Sequence, residues 1–276
     1  MTLAQTHHET NEFSDHDFHA IAEILHKETG IFLGENKKNL VYARLNTLVQ
    51  QSGFSDFAEY VAHVSARPPN RARQEMISTL TTNVTSFYRE PHHFEDLSQR
   101  VLPTLLEKAR RGERVRLWSA ACSSGEEPYT IAFEVLQQAP DAGKFDLKIL
   151  ATDIDPEMVR RAERGVYSDS VTQKTPPHIR KTFLPNNKVA ANAKALISFR
   201  ELNLLDPLPF SGLFDVIFCR NVTIYFDPPT RDKTWQQIVS VLKPSGQLYA
   251  GHSERVSGPA AKSLKHNGLT AYKCIK

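Results

Sequence analysis

The fold is decided by residues 114–137, RVRLWSAACSSGEEPYTIAFEVLQ. Residues 115–119 are predicted to form a strand, and a turn of small residues ending at Gly125 follows it. Pro128 suits the first turn of a helix, and apolar residues recur after it at helical spacing. A strand that enters a helix through a turn nearly free of side chains lets a ligand approach the backbone closely.

From this stretch onward, predicted strands alternate with predicted helices. The later strands are expected at residues 147–152, 197–203, 214–219, 247–251 and 270–275, the last two forming a closing hairpin. This alternation favours an α/β fold with a doubly wound, mostly parallel sheet. Residues 165–196 are poor in apolar side chains and do not fit the alternation. We therefore expect an insertion over about residues 165–200.

The N-terminal part of the chain has a different pattern. Four amphipathic helices are predicted before residue 81, and they would form a small bundle. Ser14 or Asp15 is expected to cap the first helix and Ser55 the third. We predict three parts: a helical N-terminal domain over residues 1–85, a linker helix over 86–112, and the α/β domain over 113–276.

The composition excludes several classes of protein. The 276 residues contain no apolar run long enough for a membrane helix, and the N-terminus lacks a signal-peptide core. Three distant cysteines lack metal-ligand spacing and suit a reducing compartment, so a cytoplasmic protein is expected. Residues 1–80 carry seven Lys/Arg against ten Asp/Glu, which argues against binding of nucleic acid. Neither membrane insertion nor a metal site is predicted.

Acidic residues near the turn indicate the class of ligand. Asp153, at the end of the second strand, could accept both hydroxyls of a ribose, although it could instead cap a helix; Asp155 is better placed for that role. Glu126 and Glu127 would repel a pyrophosphate and attract a cation, although they could also simply stabilise the helix N-terminus. A nucleoside that carries a sulfonium and an ammonium, S-adenosylmethionine, fits better than a dinucleotide.

Five segments together resemble the CheR family of chemotaxis receptor methyltransferases. They are LTTNVTSFYRE (80–90), SAACSSGEEPYTIA (119–132), ATDID (151–155), FDVIFCRNVTIYF (214–226) and LKPSGQLYAGHSE (242–254). The resemblance implies a small all-α N-terminal domain and a Rossmann-like class I methyltransferase domain that carries a small inserted β-subdomain. It also implies methyl transfer from S-adenosylmethionine to glutamate side chains of chemoreceptors, with S-adenosylhomocysteine as the second product.

The resemblance also implies roles for individual residues. Those expected to contact the cofactor are Asn83, Thr85, Arg89, Ala121, Glu127, Asp153, Asn203, Leu204, Arg220 and Asn221. Arg89 and Tyr225 are expected close to the transferred methyl group. A glutamate carboxylate is already a nucleophile at neutral pH, so the enzyme has to orient it rather than deprotonate it. Arg89 could instead pair with Glu90 at the surface, and Tyr225 could be a core aromatic. No catalytic histidine is predicted.

The resemblance also implies a partner. Lys37, Lys38 and Arg44, on the second predicted helix, would dock on the acidic helical bundle of a chemoreceptor, although a solvated helix face is equally compatible with the pattern. The weak strand pattern of the insertion argues against tethering by a receptor peptide. A regulatory adaptor protein is conceivable, and a monomer is expected. The rival functions are methylation of RNA or of a small molecule, and a non-catalytic module that senses S-adenosylmethionine.

Overall fold

The computed structural model describes residues 13–276. The chain divides into two compact units, Met1–Thr82 and Asn83–Lys276. Within the described residues, no helix combines the length and the apolar character needed to span a bilayer.

The first unit is a bundle of the four predicted helices. They are α1 (Asp15–Thr29), α2 (Lys38–Gln51), α3 (Phe57–Ser65) and α4 (Arg71–Leu80). Ser14 forms a capping box with Asp17 at the start of α1. The predicted Ser55 cap is wrong: Asp56 caps α3 by accepting the backbone N–H of Glu59, because Ser55 instead donates to the Glu59 carboxylate.

The second unit is built on a seven-stranded sheet. Its strands are β1 (Val115–Ala120), β2 (Leu147–Asp153), β3 (Ile197–Glu201), β4 (Phe214–Cys219), β5 (Leu242–Ala250), β6 (Leu264–Gly268) and β7 (Ala271–Cys274). The spatial order is β3-β2-β1-β4-β5-β7-β6, and β3 through β5 pair in parallel. The predicted Rossmann-like, mostly parallel sheet is confirmed.

Helices cover both faces of this sheet. They are α5 (Pro91–Asp96), α6 (Leu102–Arg110), α7 (Glu126–Gln138), α8 (Pro156–Arg164), α9 (Asp169–Thr172), α10 (Pro177–Phe183), α11 (Ala191–Ala195) and α12 (Pro228–Ser240), with a π-helical turn at Leu97–Val101 between α5 and α6. Strand side chains alternate between two cores: Leu117 packs on the face that α7 covers, and Trp118 packs on the face of Trp235 from α12. Both faces of the sheet are therefore buried, as is typical of a parallel sheet.

The C-terminal strands differ from the prediction. The predicted hairpin between residues 247–251 and 270–275 is wrong, because β7 forms its hairpin with β6 and only then pairs antiparallel with β5. The β6 sequence LKHNG is polar and lies at the exposed edge of the sheet, so it lacks the apolar alternation by which a strand is recognised.

The insertion also differs from what the family resemblance implies. Residues 165–196 form the short helices α9, α10 and α11, and their strand pairing is limited to an isolated bridge between Val166 and Lys188. The expected β-subdomain is thus replaced by helices. Phe183 from this segment stacks on Phe133 of α7 with ring centroids 5.0 Å apart, so the insertion is part of the main core.

Candidate cofactor and methyl-transfer site

The predicted site residues of the second unit gather at one edge of the sheet. Parallel pairing aligns Ala120 of β1 with Thr152 of β2 and with Cys219 of β4, so the residues that follow these strands emerge together. The order of the strands reverses between β1 and β4, which is where doubly wound sheets bind ligands.

The turn after β1 is tightly folded. Ala121 and Ser123 have positive φ angles of 60° and 50°, and Gly125 has φ 95°. A Cβ on Gly125 would lie 2.7 Å from the Cβ of Ala162 in α8, so only glycine fits there. The backbone N–H of Ser123 donates to Asp153 Oδ2 at 2.7 Å, and this bond ties the turn to the end of β2.

Asp153 is a buried carboxylate at this edge. Its side chain also accepts the backbone N–H of Asp155 at 3.0 Å, while Asp155 caps α8, as the sequence predicts. Burial raises the pKa of Asp153 to about 6, although the two backbone N–H groups favour its charged form. Asn83 lies beside this cluster, since its amide donates to Asp155 Oδ2 at 3.2 Å and its carbonyl accepts the Ser123 hydroxyl.

A second cluster is centred on the buried guanidinium of Arg220. Its Nη1 lies 2.9 Å from Glu127 Oε2, and its Nη2 lies 3.2 Å from Glu90 Oε2 and donates to the carbonyl of Arg89. The Arg220 side chain is only 2% exposed. Ser119 of β1 donates to the other oxygen of Glu127 at 2.7 Å. The network therefore joins β1, β4, the start of α7 and the segment before α5.

The charges of this network leave an anionic excess. Burial raises the pKa of Glu127, and the Arg220 charge opposes that shift. Burial also favours the neutral form of Glu90, but Arg220 and hydrogen bonds from His252 and Asn221 lower its pKa to about 2. When all three groups are ionised, two carboxylates face one guanidinium, so the cluster favours an additional cation.

Arg89 lies in a strained segment beside this network. Its neighbours Tyr88 and Glu90 have φ angles of 55° and 57°. Its guanidinium donates to the carbonyl of Val84 at 2.7 Å. The alternative role as the ion-pair partner of Glu90 is wrong, because Glu90 pairs with Arg220 and His252 instead.

Tyr225 ends the short 3-10 helix Thr223–Tyr225, which follows β4. Its side chain is half-buried, whereas the next residue, Phe226, is buried. The aromatic that enters the interior is therefore Phe226. Asn221, at the start of the same loop, has φ 58° and donates to Glu90 Oε1 at 3.3 Å.

Three more residues are predicted to contact the cofactor: Asn203 and Leu204, which follow β3, and Thr85, which precedes Arg89. The backbone N–H of Leu202 donates to the carbonyl of Asp153 at 2.9 Å, so Asn203 and Leu204 begin next to that carboxylate. The Asn203 side chain accepts the N–H of Leu205 at 3.0 Å. Thr85 is half-buried, two residues after Asn83.

Glu90 is a site residue to which the sequence analysis assigned no role in the site. It lies inside the quoted segment LTTNVTSFYRE, directly after Arg89. Its position next to a proposed catalytic arginine is a signal that could have identified Glu90. Its partner Arg220, however, lies far along the chain. Sequence spacing alone therefore could not pair them.

Comparison with known proteins agrees with this arrangement. The SAM-binding domain of CheR methyltransferases matches residues 83–272, and the CheR all-alpha domain matches residues 16–81. The chain belongs to the CheR methyltransferase family. A Rhizobium etli protein named "Probable chemotaxis protein methyltransferase" is 47% identical and covers 91% of this chain and 96% of its own length. Chemotaxis protein methyltransferases of Borreliella burgdorferi (covering 92% of each chain) and Escherichia coli (88% of this chain and 86% of its own) are each 38% identical.

Membership of the CheR family shows that this protein is an S-adenosylmethionine-dependent methyltransferase of chemotaxis. The residues present fit this methyl donor. The buried Nε of Arg220 has no hydrogen-bond partner among the described residues, so the network retains a donor for a polar ligand. Asp153 retains acceptor capacity because each carboxylate oxygen can accept more than one hydrogen bond. The assignment of individual residues to parts of the cofactor stays a prediction.

A histidine pair adjoins this CheR site. One ligand atom from each of Glu90, His92 and His93 lies within 4.8 Å of the others. Glu90, however, is already bound to the Arg220 guanidinium, a fixed cation that would repel a metal ion. Burial, together with the charges of Arg220 and His92, lowers the pKa of His93 to about 3. The absence of a metal site stays a prediction.

We expect cofactor affinity to depend on the charge of Asp153. Its carboxylate has to be ionised to accept two ribose hydroxyls, so affinity for S-adenosylhomocysteine should fall as pH decreases through about 6. One pH unit below the pKa the loss should be about tenfold. Isothermal titration calorimetry between pH 5 and pH 8 measures it.

The control for this titration is Asp153→Asn, which should bind weakly and show little pH dependence in that range. Asp215→Asn removes a buried carboxylate whose partners are the Arg116 backbone and Lys243, and it should keep the wild-type profile. An Asp153→Asn variant with the wild-type pH profile would contradict the assignment to Asp153.

Proposed function

We propose that this CheR-family protein methylates glutamate side chains of chemoreceptors and forms methyl esters. The observation that carries the proposal is the guanidinium of Arg89. Its hydrogen bond is to the neutral carbonyl of Val84, and within residues 13–276 it forms no ion pair. The adjacent guanidinium of Arg220 is paired with two carboxylates. Arg89 therefore has free N–H groups for an anionic group, either the acceptor carboxylate or the carboxylate of the cofactor.

The proposed reaction needs no general base from the protein. When bound, S-adenosylmethionine supplies an electrophilic methyl group on a sulfonium, and its transfer to a carboxylate oxygen yields the ester and a neutral thioether. Arg89 would hold a carboxylate in line with the methyl–sulfur bond. Tyr225 would donate a hydrogen bond near the reacting oxygen. Alignment of this kind can lower the barrier by roughly 7–11 kcal/mol.

The proposed substrate is tested by incubating the protein with methyl-labelled cofactor and chemoreceptor-rich membranes. We expect label on the receptors that is released as methanol by mild base, because esters hydrolyse and methylated amines do not. Label in RNA or in a small molecule would support a rival methyltransferase. Tight cofactor binding without any transfer would support the sensing module. The family relationship favours neither rival.

We predict that Tyr225→Phe lowers kcat for receptor methylation by about 10- to 100-fold, because the acceptor carboxylate loses a hydrogen bond that helps to align it with the methyl–sulfur bond. Affinity for S-adenosylhomocysteine should change less than threefold, since the hydroxyl acts at the acceptor. Tyr42→Phe, a half-exposed tyrosine of α2, is the matched hydroxyl deletion outside the proposed catalytic pair and should keep kcat. Equal effects of the two variants would contradict the role of Tyr225.

The proposed receptor-docking residues have different environments: Lys37 ends a 3-10 helix directly before α2, and Lys38 and Arg44 belong to α2. Lys38 pairs with Asp15 at 2.5 Å. Arg44 donates to the carbonyl of Leu80 at 2.7 Å and thereby binds the C-terminal end of α4. Lys37 is exposed. Of the three, Lys37 is therefore the cation most available to an acidic partner, while Arg44 also stabilises the bundle.

We predict that Lys37→Glu lowers the rate of receptor methylation at low salt severalfold, because a rim charge mainly steers association. Cofactor affinity should stay at the wild-type value. Lys27→Glu, an exposed lysine in the last turn of α1, is the matched charge reversal. If both variants methylate receptors equally well, docking through Lys37 is disproved. Arg44→Glu is not diagnostic because it would also break the bond to α4.

The remaining partner assignments rest on the sequence. A monomeric state, a regulatory adaptor protein, the absence of nucleic acid and a cytoplasmic location all stay predictions. Tethering by a receptor peptide, which the sequence argues against, would use a β-subdomain, and the helical residues 165–196 provide none of its strands.

A further inference from the structure

A buried carboxylate outside the predicted site organises the loop that carries two of the proposed site residues. Glu254 lies four residues after β5 and is 5% exposed. Its Oε1 accepts the backbone N–H groups of Val222 at 3.0 Å and Thr223 at 2.7 Å, and the Thr223 hydroxyl at 2.8 Å. Its Oε2 accepts the backbone N–H groups of Asn221 at 2.6 Å and Gly251 at 2.7 Å.

Three consecutive backbone N–H groups, those of residues 221–223, thus point at one carboxylate. Successive N–H groups of a turn form a concave site that favours an anion. Glu254 is the anion that the chain itself provides. Charge-assisted bonds of this kind are shorter and stronger than bonds between neutral groups.

The loop that these bonds hold is residues 220–225. Asn221 has a positive φ angle of 58°, a conformation that costs a non-glycine residue free energy and has to be supported by its surroundings. Its side-chain amide contacts Glu90, and Tyr225 ends the 3-10 helix that begins at Thr223. The bonds to Glu254 therefore position the backbone from which the side chains of Asn221 and Tyr225 extend.

Gly251, directly after β5, lies too close to this loop to carry a side chain. A Cβ on Gly251 would lie 2.6 Å from Asn221 Nδ2 and 2.7 Å from Glu254 Oε2. Glycine is therefore required for the backbone of β5 to approach the loop so closely. The close approach is what lets the Gly251 N–H share the carboxylate with the loop.

We propose that Glu254 is a positioning residue for methyl transfer, acting through the backbone of residues 221–223 on Asn221 and Tyr225. It touches neither substrate nor cofactor in this role. The part that concerns Tyr225 rests on the proposed function, whereas the part that concerns Asn221 requires only the cofactor. Both oxygens have to be acceptors, because an amide in the same place would direct its own N–H groups at backbone donors.

The test compares Glu254→Gln with wild type in the full-length protein. We expect affinity for S-adenosylhomocysteine to fall by about tenfold and kcat for receptor methylation by about 100-fold, since a misplacement of about 1 Å can have that effect on rate. Glu254→Asp keeps two acceptor oxygens and should lose less in both measurements. Calorimetry measures affinity, and release of base-labile methyl measures kcat.

The matched control is Asp215→Asn. Asp215 is a buried carboxylate at the opposite end of β4, where it accepts the backbone N–H of Arg116 at 2.9 Å and pairs with Lys243 at 2.7 Å. This variant should lower Tm as much as Glu254→Gln but leave affinity and kcat unchanged. Equal losses of activity in the two variants, or wild-type activity of Glu254→Gln, would overturn the proposal.

A milder variant covers the case in which Glu254→Gln does not fold. Thr223→Val is nearly isosteric and removes one of the five bonds, so it should reduce kcat severalfold and to a smaller degree than Glu254→Gln; an unchanged kcat counts against the proposal. If wild type forms no methyl ester on receptors, the proposed function fails. The affinities for S-adenosylhomocysteine then still decide whether Glu254 positions Asn221.

Discussion

The buried guanidinium of Arg220 is the interaction on which the rest of the site depends. An unpaired charge in this position would cost several kcal/mol, and Glu90 and Glu127 supply the carboxylates that pair it. These partners come from separate segments, the residues before α5 and the start of α7. Since Glu90 directly follows Arg89, and Arg220 also donates to the Arg89 carbonyl, pairing Arg220 fixes the backbone of the proposed catalytic arginine.

Two acids at the start of α7 bear on which ligand the turn after β1 can hold. A helix N-terminus behind a small-residue turn ordinarily attracts phosphate. Here Glu126 is 2% exposed and accepts the Ser124 hydroxyl at 2.7 Å, which places a carboxylate at the start of α7. Glu127 adds a second acid one residue later. That these two acids make the turn select a cation over a phosphate stays a prediction.

Much of this could be predicted from the sequence because it depends on local pattern. Apolar periodicity predicts the four N-terminal helices and the parallel strands. An acid at the end of a predicted strand indicates Asp153 as a ribose ligand, and that assignment stays a prediction. Strand β6 was missed because its side chains are polar, and the helical insertion because family resemblance implied strands. The pairing of Arg220 with Glu127 and with the Arg89 carbonyl joins residues 93 and 131 positions apart, and no local pattern records such contacts.

The loop after β4 connects the two halves of the proposed reaction. Glu254 holds the backbone of Asn221 and Glu90 holds its side chain, so the residue proposed to contact the cofactor is fixed from two directions. The loop that carries Tyr225 is therefore ordered by the protein's own carboxylates, and little ordering is left for substrate binding to accomplish. In the proposed function the site holds the acceptor by its carboxylate charge, which is the same for every protein's glutamates. Under that proposal, selection among proteins has to come from surfaces away from the methyl group. Exposed charges such as Lys37, directly before α2, are suited to it because they act before the acceptor reaches the site.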